Sequence, residues 1–237
     1  MEAYRYQQLA YLIVPIILGM EFFCVQNMRK KGIDFKLYLI TDRKLFPDRH
    51  LLFAAIEEAL KSGVKAVQLR EKDLGTRELL DMAYTLKGLT TRYDAKLFIN
   101  DRVDIALSVN AEGVHLGNSS MPAHAAKRVA GGNLLIGTSV HSLEEAAKAE
   151  KDGADFITLG PVFETPSKMR YGKPLGTDIL GLARDEVSIP VFAIGGIKTD
   201  RVDRVLQSGA YGIALISDVL TSNDIKTTTE EFLRLLK

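Results

Sequence analysis

The stretch LLIGTSVHSLEEAAKAEKDGADFITLG, residues 134–160, decides the fold. Its first part, Leu134–Ser139, is a short apolar, β-branched run and reads as a strand. A helical pattern follows over 142–152, rich in the strong helix formers Leu, Glu, Ala and Lys. Ser142 stands at the N-cap, with Glu145 three residues on as its capping-box partner. Asp152-Gly153-Ala154-Asp155 ends the helix, and Phe156–Gly160 is the next strand. A strand, a helix and a second strand in succession point to parallel pairing.

The same unit recurs on both sides. Further strands are expected at Leu37–Thr41, Ala66–Arg70, Lys96–Asn100, Gly113–Leu116, Val191–Gly195 and Gly212–Ser217. Helical patterns lie near 48–62, 75–92, 102–109, 122–130, 177–186, 199–208 and 220–236. Eight strands alternating with eight helices argue for an α/β fold closed into a (β/α)8 TIM barrel. A doubly wound open sheet is the alternative. Against it, no G-x-G-x-x-G follows the first strand. Turns such as Ser62-Gly63 and Ser208-Gly209-Ala210 fall just before strands and mark the bottom face.

The chain has 237 residues, 46% hydrophobic and 26% charged, which excludes disordered, collagenous and low-complexity classes. Thirty-one basic residues against 30 acidic ones leave a net charge of +1. No global basic field exists for nucleic acid, so an anion site must be local. The single cysteine, Cys24, allows no intrachain disulfide and fits a cytoplasmic location.

Two regions are expected: an N-terminal apolar and basic extension over 1–33, and the barrel over 34–237. Leu9 to Met20 is an uncharged apolar run broken by Pro15, and Arg29-Lys30-Lys31 follows. The run is short of the ~20 residues a membrane span needs. It reads as a membrane anchor, as a helix packed on the domain or a partner, or as sequence ahead of a true start at Met28. Membrane contact is expected only under the first reading.

Barrels of this kind carry chemistry at the C-terminal ends of their strands. Those ends here are polar: Gln68 to Lys72, Asn100-Asp101-Arg102, His115 to Ser120, Ser139-Val140-His141, Gly195-Gly196 and Ile216-Ser217. Each has a plain structural reading. Gln68, Arg70 and Asn100 could fill the barrel, Asp101 could cap a helix, and His141 could cap or pack. Together they suggest a binding mouth. Arg70, Lys72 and Lys168 are cationic, which suits an anionic ligand. Gly195-Gly196 permits close backbone approach, and Ile216-Ser217 opens the last helix, so a phosphate is expected there. Asp101 could carry a magnesium ion bridging a diphosphate. The stretch 161–176 is long and basic against the usual ~2–6 residues, as a lid over an anion would be; a solvated variable loop is the other reading.

These residues resemble the thiamine phosphate synthase/TenI family. The resemblance covers essentially 36–235 and rests on VQLREK at 67–72, FINDRVDIAL at 98–107, GVHLG at 113–117, IGTSVHSLEEA at 136–146, GADFITLGPVFETPSK at 153–168 and IPVFAIGGI at 189–197. It implies a transferase that joins a hydroxymethylpyrimidine diphosphate to a thiazole phosphate and releases diphosphate, with Mg2+. It places pyrimidine-diphosphate contacts on Gln68, Arg70, Lys72, Asn100, Ser139 and Lys168, and one magnesium ligand on Asp101. Thiazole-phosphate contacts fall on Thr165, Ser167, Gly196, Ile216 and Ser217. One departure stands out: the family's second magnesium carboxylate is replaced by Ser120, a weaker ligand. The family also implies an alternative, a thiazole tautomerase with His141 as acid/base, and a non-catalytic thiazole- or thiamine-phosphate-binding protein is a third reading. Lys72, Asn100, Asp101 and Lys168 favour the synthase, because a tautomerase has no diphosphate to hold. Small-molecule substrates are the partners expected; the oligomeric state is open.

Overall fold

A computed structural model describes residues 32–165 and 173–237. The barrel unit is Asp34–Lys237. Residues 1–31, and with them the apolar run and Cys24, lie outside the described residues. Among the described residues no helix is long and apolar enough to cross a membrane.

Eight strands run in order: β1 Leu37–Ile40, β2 Ala66–Leu69, β3 Lys96–Asn100, β4 Gly113–Leu116, β5 Leu135–Val140, β6 Phe156–Leu159, β7 Val191–Ile194 and β8 Gly212–Leu215. Each pairs in parallel with the next, and β1 pairs with β8, so the sheet closes on itself. The helices are α1 Arg49–Lys61, α2 Thr76–Arg92, α3 Val103–Ser108, α4 Ala123–Val129, α5 Leu143–Lys151, α6 Asp178–Glu186, α7 Val202–Gln207, α8 Ser217–Leu220 and α9 Ile225–Leu235.

Helix α1 shows how the outer layer forms. Asp48 caps it by accepting from the His50 and Leu51 amides at 2.8 and 3.0 Å. Leu52, Ala55, Ile56, Ala59 and Leu60 follow the helical period and bury one face. The interior is aromatic. Tyr38, Phe98, Phe156 and Phe192 stack edge to face, with Tyr38–Phe98 and Phe98–Phe156 centroids at 5.3 and 5.4 Å. Phe35 lies below them, 5.2 Å from Phe192. Each inward Phe faces a glycine on the neighbouring strand: Phe98 opposite Gly113, Phe156 opposite Gly137, Phe192 opposite Gly212. A ring on one strand thus takes the space a side chain would need on the next, which brings large residues to the axis at interior packing density.

Several local expectations need correction. The pattern at 220–236 is two helices, not one: Ser222, Asn223 and Asp224 break it, and Asp224 caps α9 by accepting from the Thr227 amide at 2.9 Å. Ile216-Ser217 therefore opens the four-residue α8, not the last helix. Thr199–Arg201 is a 3-10 turn ahead of α7, and a further 3-10 turn, Arg43–Leu45, precedes α1. Thr41, Arg70, Gly160, Gly195 and Ile216 sit just past their strands, and Ser217 is the first residue of α8.

Candidate active site

The polar ends of β2 and β3 form one hydrogen-bonded chain at the barrel mouth. Gln68 is 1% exposed, and its Nε2 donates to Asn100 Oδ1 at 3.3 Å. Asn100 Nδ2 donates onward to Asp101 Oδ2 at 2.6 Å. Both amides are therefore oriented by a carboxylate, not by ion pairs inside the barrel.

Asp101 is the hub. It has φ +61, a left-handed conformation uncommon away from glycine. Its amide donates to the His115 carbonyl at 2.9 Å. Asp101 Oδ1 accepts from the Gly117 amide at 3.2 Å and from the Ser120 hydroxyl. Asp101 Oδ2 lies 3.5 Å from Lys72 Nζ. Burial pushes this carboxyl up, but Ser120, Gly117, the Lys72 charge and Asn100 outweigh it and hold the pKa below the ordinary value. The capping reading of Asp101 fails: Arg102 stands at the N-cap of α3, and no side chain caps it.

Glu71, between Arg70 and Lys72, ties the end of β2 to the segment after β1. Its carboxylate accepts from the Thr41 hydroxyl at 2.7 Å and the Arg43 amide at 3.0 and 3.2 Å. Thr41 Oγ1 in turn accepts from the Arg70 amide at 2.9 Å. Arg70 and Lys72 flank Glu71 and are exposed at the mouth. A small recess lined by Glu71, Lys72, Asn100 and Arg102 opens beside them.

Ser139 is half-buried at the end of β5. It lies 3.0 Å from His115 Nε2 and 3.3 Å from Thr158 Oγ1. Burial holds the His115 pKa at about 3, with Asp101 raising it and Arg70 and Lys72 lowering it. The imidazole is neutral throughout the physiological range. Sequence reasoning assigned no role to Thr41, Glu71, Tyr38, His115 or Thr158. Strand alternation was the signal available, since Tyr38, His115 and Ser139 all fall on inward positions.

His141 stands apart from this chain, paired with Glu145 and Asn118. Its amide donates to Glu145 Oε2 at 2.7 Å, and its Nδ1 lies 3.3 Å from the same oxygen. Asn118 Nδ2 donates to Glu145 Oε1 at 3.1 Å. The expected capping box is half formed: Ser142 accepts from the Glu145 amide at 3.2 Å, but the Glu145 carboxylate takes the His141 amide, one residue early.

Gly196, Ile216 and Ser217 form a second group at the ends of β7 and β8. Gly196 has φ +65, and a methyl on it would lie 2.6 Å from the Glu164 carbonyl, so this loop packs directly on the start of the long β6 loop. The Leu175 amide donates to the Pro161 carbonyl at 2.8 Å and closes that loop's base. Thr165 is half-buried within it, while Ser167 and Lys168 lie outside the described residues.

The donor set suits magnesium in one form. Among the described residues no group of three or more His, Cys, Asp or Glu could hold a metal. Asp101 supplies one carboxylate, with the Ser120 hydroxyl in contact with its Oδ1. Magnesium is commonly held by one or two carboxylates together with substrate phosphates and water, and that arrangement these residues fit.

A family model described as thiamine monophosphate synthase matches residues 37–219. A protein of Geobacter sulfurreducens is 51% identical over 204 residues, covering 86% of this chain and 95% of that protein. The thiamine-phosphate synthase of Halalkalibacterium halodurans is 45% identical over 204 residues, covering 86% of this chain and 96% of that one. The solved structure of thiamine phosphate pyrophosphorylase from Pyrococcus furiosus superposes with a TM-score of 0.78 at 44% identity, covering 88% and 97% of the two chains. 3-Hexulose-6-phosphate synthase, at 16% identity and a TM-score of 0.64, shares the barrel alone. The match of the family model over most of the barrel, with these relatives covered almost end to end, shows that the chain belongs to the thiamine monophosphate synthase family.

Proposed function

We propose that the chain is a thiamine phosphate synthase. It couples 4-amino-2-methyl-5-(diphosphooxymethyl)pyrimidine with thiazole phosphate, giving thiamine phosphate and diphosphate. The observation that carries this reading is the continuous chain Gln68–Asn100–Asp101 with Lys72 against its charged end. It offers neutral hydrogen-bonding groups at one end and a cation with a carboxylate at the other. An uncharged aminopyrimidine bearing a diphosphate has the same polarity.

The substitution is dissociative. The bond from the pyrimidine methylene to the diphosphate oxygen breaks first, and the thiazole nitrogen then attacks the methylene. Gln68 and Asn100 orient the aminopyrimidine by hydrogen bonds. Arg70, Lys72 and Lys168 hold the leaving diphosphate by charge, and Ser139 by a hydrogen bond. Thr165, Ser167, Gly196, Ile216 and Ser217 seat the thiazole phosphate. Asp101, with Ser120 beside it, would hold Mg2+, which supplies charge neutralisation on the diphosphate. Cytoplasmic location belongs to the same reading, on the single cysteine.

A second reading, thiazole tautomerase, draws on the His141–Glu145 pair. A carboxylate on Nδ1 leaves Nε2 for proton transfer. It leaves Lys72, Asn100 and Asp101 without a task. The deciding experiment supplies both substrates and magnesium to the purified full chain and measures thiamine phosphate as fluorescent thiochrome. A chain that binds thiazole phosphate but turns over neither reaction would be the non-catalytic binder.

A further inference from the structure

Three side chains that have no part in the reaction above surround the inner side of Ser139. His115 Nε2 lies 3.0 Å from Ser139 Oγ. Thr158 Oγ1 lies 3.3 Å from both of those atoms. Beyond the imidazole, the Tyr38 hydroxyl lies 3.5 Å from His115 Nδ1. Tyr38 is 0% exposed, and His115 and Thr158 are each 2% exposed.

A neutral imidazole carries one proton, and its partners decide which nitrogen holds it. Burial pushes the Tyr38 hydroxyl pKa well up, so its O–H remains a donor. A buried donor needs an acceptor, and Tyr38 faces His115 Nδ1. Nδ1 accepting places the proton on Nε2. Nε2–H then donates to Ser139 Oγ, and the Thr158 hydroxyl donates to the same oxygen. A hydroxyl has two acceptor sites and one proton. With both sites filled from inside, the Ser139 proton is left for the mouth. The ring is held in this place by Gly137, where a methyl would lie 2.5 Å from His115 Nδ1.

We propose that His115 is a positioning residue which, kept in its Nε2–H form by Tyr38, fixes Ser139 as a hydrogen-bond donor to an anionic oxygen of the diphosphate. This deepens the synthase reading and rests on its diphosphate subsite. It also decides how Ser139 is used: it cannot accept from the substrate's amino group.

Two measurements test it on the full chain. A long-range proton–nitrogen NMR spectrum reports the His115 tautomer, with the signal assigned by its loss in His115→Gln. The Nε2–H form is expected, and the Nδ1–H form would overturn the proposal. Calorimetric binding of inorganic pyrophosphate with magnesium then compares wild type, Ser139→Ala, His115→Leu and the double variant. Each single change should weaken binding about tenfold, the worth of one hydrogen bond to a charged group. The double variant should be no weaker than Ser139→Ala alone, because His115 acts through Ser139. His115→Gln, whose amide can donate in place of Nε2, should bind within about threefold of wild type. Losses that multiply in the double variant would overturn the proposal. Wild-type protein that does not bind pyrophosphate would sink the diphosphate subsite instead, and the tautomer would still decide the His115–Ser139 bond. If His115→Leu does not fold, the tautomer and His115→Gln carry the test.

Discussion

Lowering the pH from 7.5 to 5.0 should destabilise the barrel by about 2 kcal/mol through His115 alone. The imidazole is 2% exposed and lies between the Tyr38 and Phe156 rings, with centroids 5.6 Å from each. Burial dominates its environment. Asp101 pulls toward the charged form, Arg70 and Lys72 push against it, and the pKa falls from 6.5 to about 3. As the pH drops, the unfolded chain therefore takes up this proton near 6.5, while the folded chain waits until about 3. Between those values the unfolded state holds one more proton, so stability falls by about 1.4 kcal/mol per unit of acidification. The contribution is flat above 6.5 and lost progressively below it. At pH 5.0, about 1.5 units into the window, the loss is about 2 kcal/mol. Urea unfolding followed by far-ultraviolet circular dichroism measures it, since the chain has no Trp. His115→Gln cannot titrate. It should be less stable than wild type at pH 7.5, yet its further loss at pH 5.0 should be smaller by about 2 kcal/mol. Groups common to both proteins cancel in that difference. An equal pH dependence in the two proteins would refute the reasoning.

Three further perturbations follow from the same geometry. Gly137→Ala puts a methyl into the space of the His115 and Phe156 rings, and thermal or urea unfolding should show a loss of about 1–3 kcal/mol, or failure to fold. Ser120→Asp should tighten magnesium binding in calorimetry without substrate; an unchanged affinity would mean that this position does not face the metal. Lys168→Ala should lower synthase turnover more than thiazole-phosphate binding, and equal losses in both would contradict its assignment to the diphosphate.

The barrel was legible because its signal is repeated. Each of the eight strands lies within a residue or two of its expected place, since a buried apolar run flanked by helix formers and a glycine turn leaves little choice. Gly63, Gly153 and Gly209 all adopt positive φ at the turns that mark the bottom face. What local pattern could not give was the break at 222–224. There the chain keeps helix-compatible residues on both sides, and the side chains of Ser222 and Asp224 make the turn and cap the new helix. The Glu145 carboxylate takes the His141 amide rather than that of Ser142, and Asn118, from the loop after β4, donates to its other oxygen, a contact between distant segments that local pattern does not show. Gln68, Asn100, Asp101 and Lys72 were found as polar residues at strand ends. Their order as one chain, and the supports from Glu71 and His115, depend on contacts between different strand ends, such as Gln68 with Asn100, Thr41 with Glu71 and His115 with Ser139. No spacing rule reaches that far.

The most direct test of the central claim is formation of thiamine phosphate by the purified chain from pyrimidine diphosphate and thiazole phosphate, with and without magnesium. The account predicts magnesium-dependent product from wild type and little from Asp101→Asn, which would establish that one carboxylate suffices. Protein that binds thiazole phosphate but forms no product at any magnesium concentration would contradict it and turn attention to proton transfer at His141.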